Sequence, residues 1–250
     1  MIMKKRNVTV LCMALLLLAG TAMTGCSTAR EETDRNTQFG EETSSPKDGG
    51  YTYEIYEYPI TPKKTPEQWK QLGNHYKKLK ACQIPEDILS EMTTRQLLLT
   101  CIDYPLAKDE DELNRSDLTF DYFGTIVNKH NGFVELFKRA DFSEELAALY
   151  KYYTESVSEN PEKFDALLNE SDPKSLGQDR VDRLSCLFHM TNCAMSDGIL
   201  NAADIEQIKA YSAELSSKFD KETSEYLYFN HIYELLSGKI TVTGSVIQYN

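Results

Sequence analysis

Beyond residue 65 the apolar residues recur at three- and four-residue spacing, the signature of helices that bury one face. Thr65 and Pro66 open the first run as cap and first helical residue, and Trp69, Leu72, Tyr76 and Leu79 follow on one stripe. Pro85 opens a short helix carrying Ile88 and Leu89. Thr93 with Gln96 forms a capping box ahead of Leu97, Leu98, Leu99, Cys101 and Ile102, and Pro105 ends that run. The acid-rich stretch 106–116 reads as a loop, followed by a helix from about Leu118 to Asn128 and another from Phe133 to Arg139, separated near Asn131-Gly132. Ser143 is expected to cap a helix with Leu146, Leu149, Tyr150, Tyr153 and Val157 on one face, and a short helix is expected after Pro161. From Val181 to Met195 apolar residues lie nearly all round, which marks a central buried helix. Ser196-Asp197-Gly198 turns the chain. Asn201 caps a helix with Ile205, Ile208, Tyr211, Leu215 and Phe219. Asp220 is expected to cap the last helix, with Leu227, Phe229, Ile232, Tyr233 and Leu236, and Gly238 ends it.

The pattern changes at both ends of this region. Residues 51–60, Tyr-Thr-Tyr-Glu-Ile-Tyr-Glu-Tyr-Pro-Ile, are rich in aromatic and β-branched types and predict a strand stopped by Pro59 and Pro62. Residues 239–249 alternate around Thr243-Gly244 and predict one or two strands. The expected fold is therefore mainly α: one multi-helix globular domain over 51–250, with a small β element built from the two ends of the domain. No linker-like break or fixed-period repeat interrupts it.

The first 50 residues follow other rules. Lys4, Lys5 and Arg6 precede an apolar run from Val8 to Ala19 that is shorter than the ~20 residues a spanning helix needs. It fits the h-region of an export signal. Met23-Thr24-Gly25-Cys26 follows and resembles the bacterial lipobox, in which the cysteine thiol takes a diacylglyceryl thioether and becomes the new N-terminus. Met23 stands where that pattern prefers Leu, Val or Ile. The resemblance implies a lipoprotein signal peptide over 1–25 and lipidation at Cys26. Residues 26–50 hold one large apolar residue, Phe39, too little to offset the entropy of ordering, so they read as a flexible tether. As a coil of about 24 residues it would span roughly 25–30 Å.

Composition narrows the partners. The formal net charge is −12, and every charge before Cys26 is basic, so the exported chain is more acidic still. With no basic block after the signal, nucleic-acid binding and adhesion to anionic lipid are both disfavoured. Of six cysteines, Cys12 leaves with the signal and Cys26 is the lipid acceptor. An even remainder in an exported chain admits disulfides in three pairings. The apolar helical settings of Cys82, Cys101, Cys186 and Cys193 favour four buried thiols instead. Cys186 and Cys193 lie about 10 Å apart along one helix and cannot bond to each other.

Residues 80–106, with Cys-Gln-Ile-Pro-Glu-Asp-Ile-Leu and Thr-Thr-Arg-Gln-Leu-Leu-Leu-Thr-Cys-Ile-Asp-Tyr-Pro-Leu, resemble a segment of an uncharacterised family of exported proteins from gut-type anaerobic bacteria. There, as here, a helix, an Asn-Gly pair and a leucine-rich piece ending in Arg and Asp follow. In this chain that piece runs from Asn131-Gly132-Phe133 to Arg139-Ala140-Asp141, and the likeness covers roughly residues 66–141. It implies export and transfers no activity.

Candidate chemistry is sparse. Cys186, His189 and Cys193 share a helix face and are sound zinc or haem ligand types. Spread over about 10 Å of helix they cannot all reach one ion, and a packed core with a hydrogen-bonded histidine accounts for them. Asp197-Gly198-Ile199-Leu200 with Asp204 and Glu206 resembles the second half of a calcium loop, but Cys193 and Met195 would then occupy oxygen-ligand positions. Asp109, Glu110, Asp111 and Glu112 read as a solvated loop. Tyr51, Tyr53, Tyr56 and Tyr58 suit either an interface or a strand covering the core, and the covering strand is favoured. No catalytic, cofactor or metal residue is assigned. The expectation is a membrane-anchored surface lipoprotein on the extracytoplasmic face, held through Cys26, with a non-enzymatic binding or envelope role and a protein or glycan partner. The rival is an envelope enzyme with a site assembled from scattered residues.

Overall fold

The computed structural model describes residues 55–108, 127–159, 178–243 and 246–250. Within them the fold is mostly helical: α1 (Pro66–Leu72), α2 (His75–Ala81), α3 (Glu86–Glu91), α4 (Thr94–Ile102), a 3₁₀ turn (Pro105–Lys108), α5 (Asn131–Leu136), α6 (Phe142–Glu159), α7 (Gln178–Ser196), α8 (Ala202–Ser217) and α9 (Ser224–Leu236). The chain closes with an antiparallel hairpin, β1 (Ile240–Thr243) and β2 (Val246–Tyr249), in which Ile240 faces Tyr249 and Thr243 faces Val246. Both strands of the observed sheet come from the C-terminal end. Residues 55–60 do not join it. The Tyr56 N–H donates to Thr100 Oγ1 at 3.1 Å, so a side chain takes the bond a strand neighbour would have taken. The signal and tether (1–50), Tyr51, Tyr53, the acidic loop from Asp109 on, the helix expected from Leu118 and the one after Pro161 lie outside the described residues, save the helical residues 127–129.

The stripe from Trp69 to Leu79 is two helices. Gly73 sits at φ 76°, where a side chain would be strained, and Asn74 caps α2 by accepting from the Lys77 N–H. α4 carries the expected capping box, with Thr93 and Gln96 bonding each other's backbone. The Asn131-Gly132 pair does not lie between helices. It forms the first turn of α5, and the break falls at His130. Ser143 lies inside α6, and its Oγ accepts the Asn201 N–H at 3.0 Å, tying α6 to the start of α8. Thr223, not Asp220, caps α9: its side chain accepts from Tyr226, while Asp220 offers only its carbonyl to Thr223. α7 ends as expected at Gly198, where the Ile199 N–H reaches the Ala194 carbonyl and the Gly198 N–H that of Met195.

α8 packs on α9 and α6, α7 on α9, α4 on α5 and α6, and β1 on α9. Leu97, Leu98, Phe133, Leu136, Phe142, Leu149, Tyr150, Leu184, Met190, Ile208, Leu215, Phe229 and Ile232 fill the shared core. α7 is central: Leu184, Cys186, Leu187, Phe188, Met190, Thr191 and Ala194 are buried, and among its described side chains the exposed ones are Met195 and Ser196. Two ion pairs clamp α4. Arg95 Nε meets Glu145 Oε2 at 2.6 Å beside a Thr94–Asp141 bond of 2.6 Å, fixing the start of α4 to the start of α6. At its other end Asp103 Oδ1 accepts from Arg183 of α7 at 2.7 Å, with both side chains largely buried.

Candidate functional site

His130 is fully buried between the end of α2 and the start of α5. Its Nε2–H donates to the Cys82 carbonyl at 2.7 Å, which leaves Nδ1 to accept the Phe133 N–H at 3.4 Å and cap α5. The ring sits 4.4 Å from that of Tyr104, 5.5 Å from Phe133 and 6.1 Å from Tyr58. Asn131 extends the junction: its side chain accepts from the Ile84 N–H at 2.9 Å and donates to the Ile84 carbonyl at 2.6 Å, while Gln83 accepts the Asn131 N–H at 2.9 Å. Gly132 permits the close approach, because a Cβ there would lie 2.6 Å from His130 Cε1. Burial lowers the imidazole pKa to about 4 against the opposing pull of the Cys82 carbonyl. A neutral ring with both nitrogens engaged away from solvent caps and positions; it does not shuttle protons.

The thiols are spent in the same way. Cys82, Cys101, Cys186 and Cys193 are all free, the first three buried and the fourth half-buried. Cys186 Sγ donates to the Cys101 carbonyl at 3.4 Å. Burial pushes the Cys101 thiol well up, and the neighbouring Cys186 adds to it. A thiol held protonated is a poor nucleophile and a poor metal ligand. His189 is half-buried with its ring 5.2 Å from Phe188. Among the described residues no group of three or more His, Cys, Asp or Glu is placed to hold a metal ion. In the calcium-like run, Asn201 accepts the Asp204 N–H and bonds its carboxylate, and Glu206 pairs with Lys209. Both acids serve local helix structure.

One cluster has no counterpart in the sequence pattern. On the α7–α9 seam, Tyr228 bonds to Ser185 near Asp182, and burial raises the phenol pKa while the Ser185 bond opposes it. His231, one turn along α9, lies 6.0 Å ring to ring from Phe188, and burial lowers its pKa against Glu234. The helices thus gather His189, Tyr228 and His231 around Phe188. The three-residue step from Tyr228 to His231 is the only trace of it in the sequence. The expected tyrosine strand splits in role: Tyr58 is buried against Tyr104 and His130, and Tyr56 is half-buried. Cys26 lies outside the described residues. Among those described, no helix is long and apolar enough to cross a membrane. No protein-family model, curated protein or solved structure matches the chain.

Proposed function

We propose that this chain is a bacterial surface lipoprotein, anchored through lipid on Cys26 at the extracytoplasmic face, whose helical domain has a non-enzymatic binding or envelope role. The observation that carries it is the order of the first 26 residues: basic Lys4-Lys5-Arg6, the apolar run from Val8 to Ala19, then Met23-Thr24-Gly25-Cys26. A diacylglyceryl cysteine buries enough methylenes, each contributing about 0.8 kcal/mol, for durable attachment. A non-enzymatic role is supported by the structural employment of His130, Cys101 and Cys186. The second reading, an envelope enzyme, is favoured only by the His189–Tyr228–His231 cluster. Cys26→Ala is expected to abolish incorporation of labelled fatty acid and to leave the precursor unprocessed. Equal labelling of variant and wild type overturns the anchored reading. Turnover of an ester, amide or glycoside substrate that His231→Ala abolishes would instead favour the enzyme.

A further inference from the structure

Some lysines of this acidic protein are matched to carboxylates and some are not. Lys64, Lys151, Lys209 and Lys218 each reach a glutamate. Lys70, Lys77, Lys80, Lys129, Lys138, Lys221 and Lys239 are exposed without an ion pair among the described residues, and three of these lie on or beside α2. They are Lys77 and Lys80 of α2 and Lys129. On α2, Lys80 is four residues from Tyr76 and three from Lys77, the spacings that make helix neighbours, and Lys129 Nζ lies 5.3 Å over the Tyr76 ring. Tyr76 is 69% exposed, among the most exposed large hydrophobic side chains described. No acid occurs between Glu67 and Glu86 in the sequence around α2. Composition hid this grouping, because Lys129 is brought to α2 by the Gln83–Lys129, His130–Cys82 and Asn131–Ile84 bonds across 46–48 residues.

We propose that the Tyr76–Lys77–Lys80–Lys129 face docks on the anionic phospholipid headgroups of the membrane that carries the anchor. Charge and position both support that occupant. Ammonium groups with no carboxylate to match them suit phosphate, and tyrosine suits the headgroup level, where its ring is half apolar and its tip wet. The described body begins at Ile55, with Tyr56 on Thr100 and the Tyr58 ring 6.1 Å from His130. The first described residues of the body thus pack against His130, the sequence neighbour of Lys129. Net acidity does not forbid contact, since at physiological salt a charge acts over about 8 Å and the distant acids are screened. The inference rests on the anchored reading.

The test places the lipidated protein, isolated from its own membrane, on vesicles of phosphatidylcholine alone or mixed with phosphatidylglycerol. Amine-reactive labelling of each lysine is read by mass spectrometry. Lys77, Lys80 and Lys129 should label several-fold more slowly on the anionic vesicles, while Lys151, Lys209 and Lys218 do not change. Salt near 1 M, where the screening length is about 3 Å, should erase the difference. Each lysine near such a surface is worth roughly a fivefold change in contact, so Lys77→Gln with Lys80→Gln should return Lys129 to its rate on neutral lipid. Equal labelling on both vesicles, or equal protection of the three control lysines, overturns the proposal. The mass of Cys26 keeps the two readings apart. A chain without acyl groups that pellets with anionic but not neutral vesicles keeps the docking face and loses the anchor; one that pellets with neither loses both.

Discussion

His130 concentrates the most consequences in one side chain. Its folded pKa, about 4, lies below the 6.5 of an unfolded histidine. As pH falls below about 6.5 the unfolded chain takes a proton that the folded one refuses, so stability drops until about pH 4 and then levels. Two and a half pKa units correspond to about 3 kcal/mol across that window. Chemical denaturation at stepped pH should show this slope, and His130→Gln should remove that contribution to it although other groups still titrate. Gly132→Ala probes the same contact sterically. The new methyl would press on a ring pinned at both nitrogens and on Ile84 Cδ1, 2.9 Å away. We expect a loss of about 1–3 kcal/mol, read as a lowered melting temperature, as for other overpacked sites. In the sequence Asn131-Gly132 is a turn signal. The same two residue types serve here to bond Ile84 and to admit an imidazole, a use visible only once residues 46–48 apart are brought together.

Among the elements, α7 gives the sharpest contrast. Leu187 is 1% exposed in the middle of the core, and Cys193 is only half-buried. Leu187→Ala should cost about 2–5 kcal/mol in denaturant unfolding, and Cys193→Ser distinctly less, because the new hydroxyl is partly in water. A reversed order would mean that Cys193 holds something the packing does not explain. Elements set by local chemistry were legible in the sequence: the Thr93–Gln96 box, the Asn201 cap, the turn at Gly198 and the alternation of the hairpin. Those decided by distant partners were not. Ser143 fits a cap motif but turns its hydroxyl to Asn201, and Tyr56 fits a strand but gives its N–H to Thr100. The Tyr228–His231 cluster had no readable signal because its other half sits on α7.

For the whole molecule, the division between residues 26–50 and the helical body is open to direct trial. If the proposed tether exists, limited proteolysis of the mature protein should release a fragment beginning between about Gly40 and Tyr51, because backbone outside a packed fold is cut first. First cuts inside α7, α8 or α9 would mean that the C-terminal helices open before the tether is reached. Charge is a property of the same scale. A net value of −12 is an average over the chain and does not describe the α2 face, where Lys77 and Lys80 lie with Lys129 over Tyr76.

If the chain is exported from its N-terminus, as proposed, the clamp between Asp103 and Arg183 sets a schedule. α4 cannot complete its buried ion pair, nor can Cys186 reach the Cys101 carbonyl, until 80–85 further residues have crossed. Until then Cys101, fully buried in the finished fold, lacks the contact that Cys186 of α7 makes with it. Contacts of such long sequence separation also slow folding once the whole chain is present. On the proposed route, newly translocated protein would pass through an interval in which α4 still lacks its partner on α7. In that interval, rather than in the finished domain, a periplasmic or surface chaperone would find its substrate.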